Sequence, residues 1–159
     1  MMEQGRLFAT WARNIVIKIP IVNEFGESCL GVIHRLSLEG IAVNATAILS
    51  FNQAILAAKA GATYVSIFAG RVADTGRDPE PLIRDVVKQI VPYPQIELIW
   101  ASPREILNVF QAASVGCHVI TVTHEMLRKL GLAGKDLREY SLETVRMFYD
   151  DGQKAGYAL

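Results

Sequence analysis

Ile15-Val-Ile-Lys-Ile-Pro20 decides the fold class. Its β-branched residues favour an extended strand, and the proline that follows cannot donate to a continuing ladder. Working outward, four more short apolar runs recur: Ile41-Ala-Val-Asn-Ala-Thr46, Tyr64-Val-Ser-Ile-Phe68, Ile96-Glu-Leu-Ile-Trp-Ala-Ser102 and His118-Val-Ile-Thr-Val122. Their lengths and composition predict strands buried on both faces, as in a parallel sheet. Helical patterns lie between and after them, over 25–38, 50–60, 79–91, 103–115, 123–131 and 141–155. Asp78-Pro-Glu-Pro81 and Ser102-Pro103 read as N-caps followed by proline in the first turn. Gly40, Gly61 and Gly116 stand where helices should end, just before the next strand. Strand starts recur every 22 to 32 residues or so, the period of a βα unit. The fold class is α/β. No Gly-x-Gly-x-x-Gly follows any strand, so the dinucleotide-binding fingerprint is missing and a (β/α)8 barrel is the architecture to test.

The chain has 159 residues, 51% of them hydrophobic and 20% charged, which suits one domain over 1–159 with a real core. Sixteen basic residues balance sixteen acidic ones, so no net positive charge favours a nucleic acid. No apolar run approaches the roughly 18 residues of a membrane span. The first residues, with Glu3 and Arg6, have no apolar core of a signal peptide. Cys29 and Cys117 lie far apart and fit a reducing cytoplasm better than a disulfide framework.

In a barrel, chemistry gathers at the C-terminal ends of the strands. Side chains alternate across a strand, so parity sorts each run into two faces. Ile15, Ile17 and Ile19 share the face that helices would cover, and Val16 and Lys18 share the other. Ala42, Asn44 and Thr46 share a parity, as do Tyr64, Ser66 and Phe68, and then Leu98, Trp100 and Ser102. If these faces meet, Lys18, Asn44, Thr46, Ser66, Phe68 and Ser102 come together at one rim.

Lys18 is the sharpest of these residues. A lysine among isoleucines is either desolvated, which favours the nucleophilic free amine, or reaches a rim. The plain alternative is an edge-strand lysine that blocks aggregation or snorkels to water. Arg71 sits in a strand-to-helix loop, where it binds an anion or is simply solvated. Ser102-Pro-Arg104 opens a helix whose N–H groups suit an anion, and its alternative is a plain serine cap. His34, His118 and His124 have no metal-ligand spacing; the last two read as a strand start and a helix start. Leu7, Phe8 and Trp11 read as core packing, and Asp150-Asp151 as a solvated helix face.

With these residues in view, Ile-Val-Ile-Lys18-Ile-Pro resembles the Schiff-base lysine motif of the transaldolase family, including its small fructose-6-phosphate-aldolase-like branch. Glu39-Gly-Ile-Ala-Val-Asn-Ala-Thr46, Ser50-Phe-Asn-Gln53 and Ala57-Ala-Lys-Ala-Gly61 resemble its next βα unit. Tyr64-Val-Ser-Ile-Phe-Ala-Gly-Arg71, Ala101-Ser-Pro-Arg104 and Phe148-Tyr-Asp-Asp151 match later segments in order. The resemblance implies that Lys18 and Thr46 are catalytic, Thr46 by positioning a water. It implies that Asn44 and Ser66 hold the hydroxyls of a dihydroxyacetone unit, and that Arg71, Ser102 and Arg104 bind phosphate. Phe68 stands where the aldolase branch carries tyrosine, which favours transfer over direct aldol cleavage. Ile67 replaces a usual proline and Pro103 an aromatic residue.

The implied partners are fructose 6-phosphate, sedoheptulose 7-phosphate, erythrose 4-phosphate and glyceraldehyde 3-phosphate in the pentose phosphate pathway. No metal or cofactor is implied, and the expected assembly is a homo-oligomer. A full barrel has eight strands and roughly 250 residues. Five runs here correspond to strands 4–8 of a partial (β/α)8 TIM barrel plus a C-terminal helix, truncated at the N-terminus. The family's acid–base aspartate and glutamate sit on its first and third strands and match no residue here. Three functions follow as expectations: transaldolase-type transfer, a fructose-6-phosphate aldolase-like lyase, or a catalytically silent truncated barrel.

Overall fold

The computed structural model describes residues 1–157 and separates into two compact units, the first ending at Thr123 and the second beginning at His124. The first unit contains α1 (Met2–Ala9), β1 (Ile17–Pro20), α2 (Leu30–Leu38), β2 (Val43–Ile48), α3 (Phe51–Lys59) and β3 (Tyr64–Phe68). It continues with α4 (Ala69–Ala73), α5 (Pro79–Ile90), β4 (Glu97–Ala101), α6 (Leu107–Ser114) and β5 (Val119–Ile120). The second unit holds α7 (His124–Lys129), a 3-10 turn (Leu130–Leu132) and α8 (Leu137–Lys154).

All five strands are parallel, and each pairs with the next in sequence, in the order β1-β2-β3-β4-β5. The order never reverses, so the sheet has no topological switch point of the doubly wound kind. β1 and β5 are its edges. Ile17, Ile19, Val43, Ala45, Ile48, Val65, Ile67, Leu98 and Trp100 form one buried face. Ile33 and Leu36 of α2, Ala54 and Ala57 of α3, Ile83 and Val86 of α5 and Ala112 of α6 join them in a single core. Parallel strands need a crossover on each connection, and here the crossover helices cover that one face. The opposite face stays partly open: Lys18 is exposed, and Asn44, Tyr64 and Phe68 are half-buried. The expectation of strands buried on both faces holds for the central strands, where Ser66, Ile99 and Ala101 are buried on this face too, and is corrected for β1, where Lys18 is exposed.

The N-cap at Asp78 is as expected, with its carboxylate accepting from the Glu80 N–H at 2.9 Å and Pro79 in the first turn. Ser50 caps α3 in the same way, accepting from the Gln53 N–H. Gly61 follows α3 with a φ of +95°, and a Cβ there would stand 2.3 Å from Ser37 Oγ. Only glycine fits that turn.

Three helix expectations change, and one helix is new. The 25–38 pattern begins only at Leu30, because Asn23 Oδ1 accepts from the N–H groups of Phe25 and Glu27 and holds 23–27 as a turn. The 103–115 pattern begins at Leu107. The terminal helix starts earlier than expected, at Leu137, where the Asp136 carboxylate caps the Arg138 and Glu139 N–H groups. The short helix α4 was not expected at all.

Leu7, Phe8 and Trp11 do not pack in the core: Trp11 is 67% exposed, and its ring stacks obliquely on Phe8 at 4.7 Å. What anchors α1 is Gly5, whose missing side chain lets Leu36 and Ile17 approach. The guanidinium of Arg6 adds a two-pronged ion pair to Glu39 at 2.6 and 2.7 Å. Phe8 and Trp11 line a cleft of about 460 Å³ beside β1, together with Val16 and Lys18.

In the second unit, no described residue of α8 is buried, and Asp150 and Asp151 are solvated as expected. Phe148 and Tyr149 of the quoted terminal motif are exposed on α8. Among the described residues, no helix is long and apolar enough to cross a membrane. Cys29 and Cys117 are free thiols, and burial pushes both above the usual thiol range. His118 immediately precedes β5, where its Nδ1 accepts from the Leu98 N–H, and His124 opens α7.

Candidate active site

The open face carries the polar residues of three successive strands. Lys18 on β1 stands in register with Asn44 on β2, and Pro20 with Thr46. Asn44 is in turn in register with Tyr64 on β3. The hydroxyl of Ser66, only 2% exposed, donates to Asn44 Oδ1 at 2.7 Å. Lys18, Asn44, Thr46 and Ser66 thus share one face, as parity required. Lys18 itself is exposed rather than desolvated: it lies on an edge strand, beyond which no further strand pairs among the described residues.

An irregularity follows Thr46. The register between β2 and β3 slips between Ala45 and Ile48, and Ala47 adopts a φ of +59°. This bulge returns Ile48 to the helix-covered core while Thr46 stays on the other face. Thr46 is 9% exposed, and its Oγ1 has no hydrogen-bond partner among the described residues. A buried hydroxyl without a partner is costly, and functional sites are where such groups persist.

The expected parity fails on the fourth run. In the register, Ser66 faces Ile99 and Ile67 faces Trp100, so Leu98 and Trp100 lie on the helix-covered face. Trp100 is fully buried in the core, and Ile99 and Ala101 take the open-face positions. Ser102 follows β4 with a φ of +58°, a strained value for a serine that turns the chain sharply at the strand end.

Nor does Ser102 cap a helix. Residues 102–106 are irregular, and the N–H groups of Arg104 and Glu105 donate to Asn108 Oδ1 at 2.7 and 3.2 Å. Those N–H groups are already taken, which removes the helix-N-terminus argument for an anion at Ser102. The candidate anion residues are instead side chains. Arg71 lies within α4, not in a loop, and its guanidinium sits 5.8 Å over the Phe68 ring. Arg104 forms a bidentate pair with Asp74, Nε to Oδ1 at 3.3 Å and a terminal nitrogen to Oδ2 at 2.6 Å. The hydrogen bond from Arg104, and then the charges of Arg104 and Arg71, hold the Asp74 carboxyl below its usual range.

This arrangement places an exposed amine beside a hydrogen-bonded Asn–Ser pair, with arginines beyond the C-terminal ends of neighbouring strands. The family model described as Transaldolase/Fructose-6-phosphate aldolase matches residues 1–159. The chain belongs to that family. Among its curated relatives, a probable transaldolase of Herpetosiphon aurantiacus is 44% identical over 131 residues, covering 82% of this chain and 58% of that protein. A probable transaldolase of a Thermoanaerobacter species is 40% identical over 157 residues, covering 98% of this chain and 68% of that protein. The chain therefore spans about 58% of the first of these transaldolase-family relatives. Among solved structures, one described as "Native KDPGal structure" superposes with a TM-score of 0.55 at 19% identity, over 96% of this chain and 66% of that one. A mandelate oxidase mutant with an FMN adduct does so at 0.56 and 16% identity, over 76% and 43%. These two likenesses concern the α/β fold alone.

Sequence reasoning missed Asp74 and Asn108. Asp74 stands three residues after Arg71, one helical turn along, and that spacing was its only available signal. Replacing Ser66 with alanine removes the donor that holds Asn44 and is expected to cost about 1 kcal/mol in urea denaturation. No change in stability would show that the bond does not orient Asn44.

Proposed function

We propose that Lys18 is a Schiff-base lysine and that this chain serves transaldolase-type transfer of a dihydroxyacetone unit between sugar phosphates. The observation that carries the reading is the row across three strands: Lys18 in register with Asn44, and Asn44 hydrogen-bonded to Ser66. An amine beside fixed polar groups is what a carbonyl flanked by hydroxyls requires.

In this reading, Lys18 Nζ adds to the carbonyl carbon of a ketose phosphate and water leaves, forming a protonated imine. The bond between the third and fourth carbons then breaks. Its electron pair moves into the imine as an enamine, the fourth hydroxyl loses its proton, and an aldose phosphate departs. Asn44 and Ser66 hold the hydroxyls of the remaining three-carbon unit, and Thr46 positions the water that relays protons. The enamine adds to a second aldehyde, and hydrolysis frees Lys18. Fructose 6-phosphate and sedoheptulose 7-phosphate are the donors, and erythrose 4-phosphate and glyceraldehyde 3-phosphate the acceptors. Arg71, Ser102 and Arg104 bind the phosphate, and Phe68 favours transfer over an aldolase-like lyase reaction.

The sequential parallel order and the single helical layer support a partial (β/α)8 barrel corresponding to strands 4–8. The exposed apolar side chains of α8, Val145 and Phe148 among them, support homo-oligomerisation. The setting is the cytoplasm and the pentose phosphate pathway.

One observation favours the silent alternative. Lys18 is exposed, and the only carboxylate of open-face parity on the described strands, Glu97, stands at the opposite end of β4. Borohydride reduction in the presence of fructose 6-phosphate, read by peptide mass spectrometry, decides between them. An adduct on Lys18 is expected; its absence from a protein folded by circular dichroism would overturn the reading.

A further inference from the structure

We propose that Asp74 is the positioning residue of the anion site: its carboxylate holds Arg104 so that α4 and the loop after β4 present their charges together. The inference rests on the reading of Arg71, Ser102 and Arg104 as phosphate ligands.

Arg104 belongs to an irregular segment, so no helix fixes its side chain. Two contacts fix it instead. Its backbone N–H is held by Asn108, and its guanidinium by the two oxygens of Asp74. Paired in this way, a planar guanidinium is held in one plane, yet only two of its five N–H donors have a partner among the described residues. Three remain for an oxyanion. Asp74 ends α4 one turn after Arg71, so the same short helix brings both an arginine and the carboxylate that orders a second one.

The packing beneath is close. A Cβ on Gly70 would fall 1.8 Å from the Ser102 carbonyl oxygen and 3.1 Å from Arg104 Cγ. Only glycine lets α4 lie against the backbone that carries Ser102 and Arg104. That contact and the ion pair both tie α4 to the loop.

Both partners of the pair are about half exposed, and such pairs add little to stability. Its value is geometric. The competing reading is that Asp74 acts as a rival anion, neutralising one of two arginines so that phosphate must displace it.

The experiment compares wild type with Asp74→Asn, which keeps shape and removes charge, and with Asp74→Glu. Calorimetric titration with fructose 6-phosphate and with inorganic phosphate gives affinity. Borohydride trapping with fructose 6-phosphate and with dihydroxyacetone gives adduct yields, and the Arg104 Nε–H resonance gives side-chain order. Asp74→Asn is expected to weaken fructose 6-phosphate and phosphate binding about tenfold. It should lower the ratio of fructose 6-phosphate to dihydroxyacetone adduct by a similar factor, and broaden the Arg104 resonance. Asp74→Glu is expected to restore part of each. In wild type the resonance should persist as pH falls into the ordinary carboxylate range: a carboxyl held below that range keeps the pair ionised there, losing it only as pH falls further.

Equal or tighter binding by Asp74→Asn overturns the positioning role, and tighter binding establishes the rival anion. Equal loss of both adducts would show a general structural effect and also overturn it. If wild type binds neither probe, the phosphate-site reading fails and the inference falls with it; an Arg104 resonance still sharpened by Asp74 would then show an ion pair with no anion to serve.

Discussion

Lys18→Met is expected to abolish borohydride-trapped adduct with fructose 6-phosphate, leaving no labelled peptide over residues 14–35. Methionine keeps the length and apolar stem of lysine but has no amine to form an imine. The position is exposed, with Ile17 and Ile19 buried on either side of it, so the strand should persist and stability should change by no more than about 0.5 kcal/mol. An unfolded variant would misplace the test, which is why circular dichroism and urea midpoints accompany it. Adduct retained at wild-type yield, on whichever lysine, would remove Lys18 from the chemistry. The row of Asn44 and Ser66 beside it would then be only a structural hydrogen bond.

Trp100→Ala is expected to destabilise the first unit by about 3–5 kcal/mol, measured by urea denaturation, because a fully buried indole leaves a cavity that helices over a sheet cannot close. Trp100→Phe fills most of that space. It also removes an indole N–H that has no hydrogen-bond partner among the described residues, so its cost should be about 1 kcal/mol. Ile99→Ala lies on the other face, outside the helix-covered cluster, and should cost about half as much as Trp100→Ala. Equal costs for the two alanine variants would contradict the register of β4.

That register is also where reading the sequence by alternation stops working. On β1 to β3 the polar residues themselves mark a face, because Lys18, Asn44 and Ser66 sit among isoleucines, valines and alanines. On β4, Leu98 through Ala101 are apolar at both parities, so the one polar mark of the open face is Glu97 at the start of the strand, far from Ser102. Counting back from Ser102 gives the wrong answer, since the chain leaves extended geometry there with a φ of +58°. The bulge at Ala47 is equally silent: an alanine in a left-handed conformation carries no local signature, and neighbouring strands impose it. Pro103 invites a helix start that Asn108 instead displaces to Leu107, by accepting the N–H groups upstream.

By itself, the sequence determined the α/β class, the alternation of strands and helices, the caps at Asp78 and Gly61, and the lysine-bearing strand with its family. Those are properties of local periodicity and of residue chemistry, which a linear pattern carries. The tertiary structure alone decided that Ile48 returns to the core after the bulge, that Lys18 is exposed on an edge strand, and that Asp74 meets Arg104 thirty residues away. Each of these depends on pairing register or on contacts between segments distant in the chain, and no short-range pattern encodes that free energy.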